Sequence, residues 1–393
     1  MKKRLVSIAM ALALAASVLA GCGSQQGSGT TAAGAAAQES SAAVSAPEAA
    51  STAETAATAA ASEAAQAAST EQTAASTAVT AADAAVTEEL SSDAVRVGTL
   101  KGPTAMGLVK FMDEADSGAL SDGQYQFTMY DAPDQLVPLV VKGDVDIAMV
   151  PGNLASVLYQ KTKGNVQVFA INTLGVLYIV DNGNPVSSVA DLKGRGIAAS
   201  GMGSTPQYVL NYILQQNGLD PEKDVDVTWC DDHSMALQML MKDNSLLAML
   251  PQPFVTVAQT KADTIHVDLD LTEEWNRTQE KAQNPSQLVM GVAIVNKSFA
   301  EKNPEALRTF MSHYEESVKF VNSNVDEAAA LVGKYDIVPE GVAKKAIPAC
   351  NITYIAGEDM KNGLSGFLQV LKDEDPSAVG GALPADDFYY TAD

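Results

Sequence analysis

Arginine is scarce in this chain of 393 residues. Only Arg4, Arg96, Arg195, Arg277 and Arg308 occur, against 48 acidic residues. No stretch combines clustered Lys or Arg with aromatic side chains, so no nucleic-acid partner is expected. The formal net charge of -23 favours solubility and says nothing about fold. Histidine and cysteine are as sparse, with three of each. His233, His266 and His313 are scattered, and no Cys/His cluster has metal-ligand spacing, so neither a metal nor another cofactor is expected. A Walker A loop is missing, because no Gly-Lys-Ser/Thr follows the glycine-containing run 201–206. That run is not a dinucleotide fingerprint either, since Gly201 and Gly203 are followed by Pro206. His233 follows Asp231-Asp232, which invites an acid–base reading. Neighbours in a loop do not all point one way, and no nucleophile accompanies them. A polar helix start explains residues 231–234, and no catalytic residue is assigned.

The first 22 residues differ from the rest. Lys2, Lys3 and Arg4 precede an apolar run over residues 5–20, which ends in small residues. The run is short for a stable membrane span, which needs about 20 residues. A basic start, an apolar stretch and a small-residue exit read as a secretory signal. Leu19-Ala20-Gly21-Cys22 resembles the bacterial lipobox. Residues 1–22 are therefore expected to be a lipoprotein signal peptide, with Cys22 acylated and anchored at the extracytoplasmic face of the cell membrane. Residues 23–92 contain no aromatic residue and no Lys or Arg, being almost wholly Ala, Ser, Thr, Gly, Gln and Glu. Such a segment cannot bury enough apolar surface to offset its ordering entropy. It is expected to be a disordered tether with a root-mean-square span of about 45 Å. Cys230 and Cys350 are expected as two buried thiols, with a disulfide as the alternative in an exported protein.

From Val95 the chain alternates short apolar strands with amphipathic helices. Val95–Leu100, Tyr125–Tyr130, 145–150 and 166–173 read as strands, with helices at 104–115, Pro133–Lys142 and 153–163 between them. A second series has strands at 197–200, 225–230 and 246–250, and helices at 206–217, 234–242 and from Pro253. This alternation implies βαβ units and parallel sheets. The segment 288–296 reads as a strand returning to the first unit, followed by a long helix over 298–322. The expected organisation is lobe 1 from 93–182 and 290–393, and lobe 2 from 183–289. Crossovers near 173–185 and 287–296 form the hinge.

Four strand-to-helix loops repeat one device, a turn followed by a helix start. Thr104, Asn153 and Thr205 are expected N-caps, and Pro251-Gln252-Pro253 makes the fourth case. Helix N-termini carry unpaired N–H groups and partial positive charge. In open α/β sheets, ligands bind beyond the carboxyl ends of the strands.

Several segments resemble a known family. Gly143-Asp144-Val145-Asp146-Ile147-Ala148 resembles the strand entry of type II periplasmic binding proteins. Val189-Ala190-Asp191-Leu192-Lys193-Gly194-Arg195-Gly196-Ile197 is similar to the opening of their second lobe. Residues 208–219 with Asp224-Val225 resemble the helix and strand that follow. Residues 246–258 resemble the next repeat, with Leu247-Ala248 where the family has Asp-Ala. The likeness spans residues 94–372, and is nearest to the NitT/TauT-like group of nitrate, sulfonate and thiamine-pyrimidine binders. It implies an α/β, two-lobed type II periplasmic-binding-protein fold with the second lobe inserted into the first, closing over a solute by hinge motion. It also implies a monomer that is not an enzyme, and that hands a small molecule to the permease and ATPase complex of an ABC importer.

By position in that fold, Lys101, Gly102, Pro103, Thr104 and Ala105 line one loop, and Pro151, Gly152 and Asn153 a second. Asn172 and Thr173 end a lobe-1 strand. Gly203, Ser204, Thr205, Gln252 and Phe254 close from lobe 2. Plain helix capping is the competing reading of these residues. Met106, Met202, Tyr208 and Trp229 are candidates for apolar walls, with core packing as the alternative. Lys101 is the only cation in these loops, whereas strongly anionic ligands usually meet Arg or several charges. The ligand is therefore expected to be polar, neutral or weakly charged, with heterocycles among the candidates. Two other functions remain open: an enzyme on the same scaffold, and a ligand-sensing lipoprotein partnering a membrane kinase. The cysteine cluster of the pyrimidine-synthase relatives is absent.

Overall fold

A computed structural model describes residues 94–120, 125–280, 282 and 285–391. The expected signal peptide, Cys22 and the tether lie outside the described residues. Near-continuous apolar runs such as Ile147–Pro151 become strands buried on both faces, as sheets covered by helices require.

The larger sheet holds β1 (Val95–Leu100), β2 (Tyr125–Tyr130), β3 (Ile147–Pro151), β4 (Val166–Leu174), β10 (Val289–Asn296) and β11 (Ile352–Ile355), in the order β11-β4-β10-β3-β1-β2. The smaller holds β5 (Leu177–Asn182), β6 (Gly196–Ser200), β7 (Asp226–Cys230), β8 (Leu247–Pro251) and β9 (Ile265–Asp270), in the order β7-β6-β8-β5-β9. The helices are α1 (Pro103–Met106), α2 (Val109–Asp116), α3 (Pro133–Lys142), α4 (Gly152–Lys161), α5 (Thr205–Gln216), α6 (His233–Lys242), α7 (Phe254–Lys261) and α8 (Leu271–Gln279). After β10 come α9 (Lys297–Lys302), α10 (Pro304–Ser323), α11 (Val325–Lys334), α12 (Glu340–Ala346) and α13 (Gly357–Glu374).

Two α/β lobes are present, but both sheets are mixed rather than parallel. β1 pairs in parallel with β2 and β3, and β6 with β7 and β8. β10 runs antiparallel to β3 and β4, and β5 antiparallel to β8 and β9. The cause is the crossover: a strand that leaves one sheet at the gap enters the other from its gap end, and so runs against its neighbours. β5 belongs to the smaller sheet, which moves the first lobe boundary from residue 182 to Gly175-Val176. β5, β9 and β11 are strands that the alternating pattern does not reveal.

The helix expected over 104–115 is broken. Ser317 Oγ, buried on α10, donates to Gly107 O at 2.7 Å and accepts from Phe111 N at 3.2 Å. It stands in for the bond that a continuous helix would close between those two groups, and a side chain inserted into the ladder breaks it. The segment 298–322 likewise divides at Asn303-Pro304. Phe111 then packs edge-on against Tyr125 and Phe127, with ring centroids 4.8 and 5.2 Å away, in the lobe-1 core.

Candidate functional site

Register places the strand ends of both lobes beside the crossover between the two sheets, the position called the gap below. Gly175 and Val176 alone separate the end of β4 from the start of β5. On the lobe-1 side, Gly291 of β10 lies opposite both Pro151, at the end of β3, and Thr173 of β4. On the lobe-2 side, Leu177 lies opposite Pro251, at the end of β8. The carboxyl ends of β1, β3, β6, β7 and β8 therefore flank the crossover. A side chain at Gly175 would collide with Thr272 and meet Leu288 Cδ2 at 2.8 Å. Asn351 Nδ2 donates to the Gly175 carbonyl and braces the crossover from lobe 1.

In lobe 1, Thr104, Asn172 and Thr173 converge on Gly291. A Cβ there would collide with Asn172 Oδ1 and lie 2.6 Å from Thr104 Cγ2 and 3.1 Å from Thr173 Cβ. Asn172 and Thr173 are each 1% exposed. Thr173 Oγ1 donates to Asn172 Oδ1 at 3.1 Å, and Asn172 Nδ2 donates to Met149 Sδ at 3.5 Å, a weak acceptor. Pro103 and Pro151 are half-buried beside this floor, while Ala105, Gly152 and Met106 are buried.

The expected N-caps do not cap. Each helix begins before or at the residue assigned: Gly102 caps α1, Pro151 caps α4 and Ser204 caps α5, with no side-chain capping bond in any of the three. Thr104 Oγ1 donates back to Leu100 O at 3.0 Å. Asn153 Nδ2 reaches Ala378 O at 3.3 Å in the C-terminal segment. Thr205 is buried at the first position of its helix.

In lobe 2, Gly201 and Gly203 have φ of 92° and 71°, which shapes the turn before α5. Ser204 Oγ donates to Gly201 O at 2.7 Å, and Met202 is exposed. Tyr208 Oη donates its one proton to Asp375 Oδ2 at 3.0 Å and lies 3.2 Å from Gly203 O, linking this turn to the end of α13. Gln252 N donates to Val176 O at 3.0 Å, while its Oε1 accepts from Thr256 Oγ1 at 2.9 Å.

Two residues outside the expected set stand at adjacent lobe-2 strand ends. Ser200 Oγ, at the end of β6, lies 2.5 Å from His233 Nδ1, at the start of α6. The Phe254 ring, at the start of α7, is 5.0 Å from the imidazole. Burial pushes the His233 pKa below its ordinary value, and Asp232 opposes that weakly. Asp232 itself caps α6, its Oδ1 accepting from Met235 N at 2.7 Å, as a polar helix start predicts. Ser200 and His233 are 33 residues apart, so only the strand order could have joined them.

Among the described residues, basic side chains are nearly absent from this gap. Arg96 is paired with Asp146 at 2.6 Å, at the far ends of β1 and β3. Arg195 bonds Asn184 O, and Arg277 and Arg308 pair within their own helices. Lys101 reaches Asp336 at 3.1 Å. Among the described residues, no group of His, Cys, Asp and Glu could hold a metal ion. Cys230 and Cys350 are free and buried. Burial raises both thiols, Cys350 to about 12. A cavity of about 350 Å³ lies between residues 285–287, next to the second crossover, and Ile355, Asp359, Asn362 and Gly363. No expected site residue lines it.

A family profile described as "ABC transporter, phosphonate, periplasmic substrate-binding protein" matches residues 121–319, half of the chain. No curated protein sequence matches. Among solved structures, an ABC transporter protein from Parabacteroides distasonis is similar at 22% identity and TM-score 0.64, over 77% of this chain and 100% of that one. The periplasmic aliphatic sulphonate binding protein SsuA from Escherichia coli is similar at 19% identity and TM-score 0.58, over 72% and 92%. The alkanesulfonate-binding protein SsuA from Xanthomonas axonopodis pv. citri, bound to MOPS, gives 14% and 0.53, over 75% and 95%. At these identities the likeness shows the two-lobed type II fold.

Proposed function

From the premise that this chain belongs to the periplasmic substrate-binding proteins of ABC transporters, a family of binding proteins and not of enzymes, we propose that it captures a small polar solute, neutral or weakly charged, between its lobes. It is the solute-binding component of an importer, and it would deliver that solute to a permease and ATPase complex. The observation that carries the ligand class is the gap's composition. Thr104, Asn172 and Thr173 place hydroxyl and amide groups around Gly291, while among the described residues no arginine reaches the gap and Lys101 is engaged with Asp336. A fixed dianion would lack a counter-charge there. Uncharged carbonyl or ring-nitrogen acceptors match the unpaired N–H groups at the helix N-termini of both lobes, while the threonine hydroxyls, whose protons go to Leu100 O and Asn172 Oδ1, can only accept.

The second reading is a phosphonate or sulfonate oxyanion. It is favoured by the family profile's description and by the likeness to two sulfonate binders. Helix N-termini alone can hold such a group. A thermal-shift screen separates the two, because a ligand that binds only the folded state raises Tm by mass action. Pyrimidines and vitamins should raise Tm more than methylphosphonate or ethanesulfonate at equal concentration. A larger shift with the oxyanions overturns the neutral-ligand reading, and conversion of any hit into a new compound overturns binding alone.

We further propose that Cys22 carries a lipid and that residues 23–92 hold the lobes off the membrane. Among the described residues, no helix is long and apolar enough to cross one. Cys22→Ser should move the protein from the membrane fraction to the soluble fraction. Retention of the variant on membranes removes the anchor from the account.

A further inference from the structure

The second crossover rests on α13 through two glycines. Residues 359, 362, 363 and 366 share one face of that helix by their spacing. A Cβ at Gly363 would lie 2.6 Å from Gln287 Oε1, and one at Gly366 would lie 2.6 Å from Ser286 Cβ. Ser286 is pinned to lobe 2. Its N and Oγ each donate to Gln279 Oε1 at 3.0 Å, and its carbonyl accepts from Trp275 Nε1 at 3.3 Å, both partners being on α8. The cavity of about 350 Å³ lies beside this contact, with residues 285–287 as one wall and Ile355 and the start of α13 as the other.

Strand order puts the cavity behind the crossover. In the order β11-β4-β10-β3-β1-β2, the loops after β1 and β3 lie on one side of the crossover strands β4 and β10. Ile355, the last residue of β11, lies on the other side. In lobe 2, α8 follows β9, which flanks β5 on the side away from β8, β6 and β7. The lining is rich in acceptors. Gln287 Oε1 is buried and has no hydrogen-bond partner among the described residues. A buried acceptor left open costs free energy and calls for an explanation. Asp359 and Asn362 are exposed and hold no ion pair or side-chain hydrogen bond among the described residues. Among the described residues, no basic side chain lines the cavity. Glu358 and Asp359 occupy the first turn of α13, so the helix start already faces negative charge and offers little to an anion.

We propose that this cavity is a second binding site, behind the hinge, for a small primary ammonium compound. Its N–H groups donate to Gln287 Oε1 and to the Asp359 carboxylate, and its short apolar chain lies against Ile355. An ammonium has three donors and no acceptor, which matches an open amide oxygen beside a carboxylate. One wall is held by lobe 2 and the other belongs to lobe 1, so a bound molecule ties the lobes together across the crossover. Closing the front gap turns the lobes about the crossover and changes the width of a cavity behind it. Occupation and lobe angle are therefore linked.

The test uses the full chain, with n-butylammonium as the probe. Tetramethylammonium, which has the charge but no N–H, and butyrate, which has the opposite charge, are the controls. Calorimetry should show n-butylammonium saturating below about 10 mM, and both controls binding about tenfold more weakly or worse. Hydrogen exchange should slow in peptides covering 285–289 and 355–363 when the probe is bound. Asp359→Asn should weaken binding about fivefold, and Asp359→Glu should restore it to within about twofold. Gln287→Met should weaken binding by about threefold or more. The same variant without probe should melt no lower than the parent, because it removes an open buried acceptor and breaks no bond. Failure to saturate below about 10 mM, equal binding by either control, or protection confined to other segments overturns the site. A Gln287→Met variant that melts lower yet binds as the parent does makes Gln287 a packing residue and overturns the assignment. None of these readouts involves the front gap, so their failure leaves solute capture standing.

Discussion

The two faces of the gap differ in how far their side chains are already spoken for. In lobe 1, Thr104 is bonded to Leu100, Asn153 to Ala378 and Lys101 to Asp336, while Asn172 and Thr173 bond each other. In lobe 2 Ser204, Tyr208 and Gln252 are bonded as well, but the turn at 201–204 is more open, with Met202 70% exposed, and one ring nitrogen of His233 has no partner among the described residues. Satisfied polar groups in a packed setting rigidify a surface. Uncommitted groups on glycine-rich turns can rearrange when a ligand arrives. Lobe 1 thus resembles a preformed floor, and lobe 2 the side that adjusts on closure.

The sharpest way to break that comparison is to add one methyl group to each side. Gly291→Ala drives a Cβ into Asn172 Oδ1 and Thr104 Cγ2. Overpacking of that kind should destabilise the protein by about 2–3 kcal/mol in urea unfolding. Gly203→Ala meets no atom within 4 Å and is opposed only by its φ of 71°. It should destabilise by about 1 kcal/mol, the penalty for a left-handed residue with a Cβ. Equal losses at the two positions would mean that the lobe-1 floor is as yielding as the lobe-2 turn.

A smaller effect separates the lobes by pH. Asp181 of β5 is fully buried; its Oδ1 accepts from Gly183 N and Asn184 N, and its Oδ2 lacks a partner. Asp268 of β9 bonds Val186 N and sits against Asp181. Burial first, and the charge of Asp181 after it, push the Asp268 carboxyl up to about 6 from 3.8, while Val186 N and Arg195 oppose the shift. An acid whose pKa is raised by folding binds its proton more tightly in the native state. The stability it contributes is therefore fully present below pH 3.8 and is lost as pH rises through 6. With solvent screening allowed for, the loss should be about 1 kcal/mol. Asp268→Asn should raise Tm at pH 7 and flatten the Tm profile between about pH 4 and 7. An unchanged slope in the variant removes the pair from the account.

Alternating apolar runs make β1 to β4, β6 to β8 and β10 legible in the sequence, because strands buried on both faces need no partner information to be apolar. β5 is hidden because two residues, with no polar turn, separate it from β4. β9, Ile265–Asp270, carries His266, Asp268 and Asp270 and looks like a loop. β11 has four residues and depends wholly on β4. Loop position singles out Thr104, Asn172 and Thr173, and the three are neighbours around Gly291, with Asn172 and Thr173 buried. Capping assignments made from residue type alone misplace Thr104, Asn153 and Thr205, since Pro103 and Pro151 set where the helices begin. Ser200 and His233 escape because their meeting depends on β6 and β7 being neighbours, which no local pattern states.

The smallest expected change tests the floor most directly. Lys101 is the one cation in the expected loops, and its partner Asp336 has a side chain 96% exposed. Exposed pairs of this kind contribute about 0.2–1 kcal/mol at most, and salt screens them. Lys101→Met should therefore shift Tm by about a degree or less. Its effect on solute binding should fall within about twofold, with little dependence on salt, because a neutral ligand draws nothing from a charge already facing Asp336. An anionic solute would behave otherwise. Closure would have to pull Lys101 away from Asp336, and the variant would lose about tenfold or more in affinity, with binding weakened by added salt. That outcome would make lobe 1 the side that rearranges, and would reverse the roles assigned to the two faces.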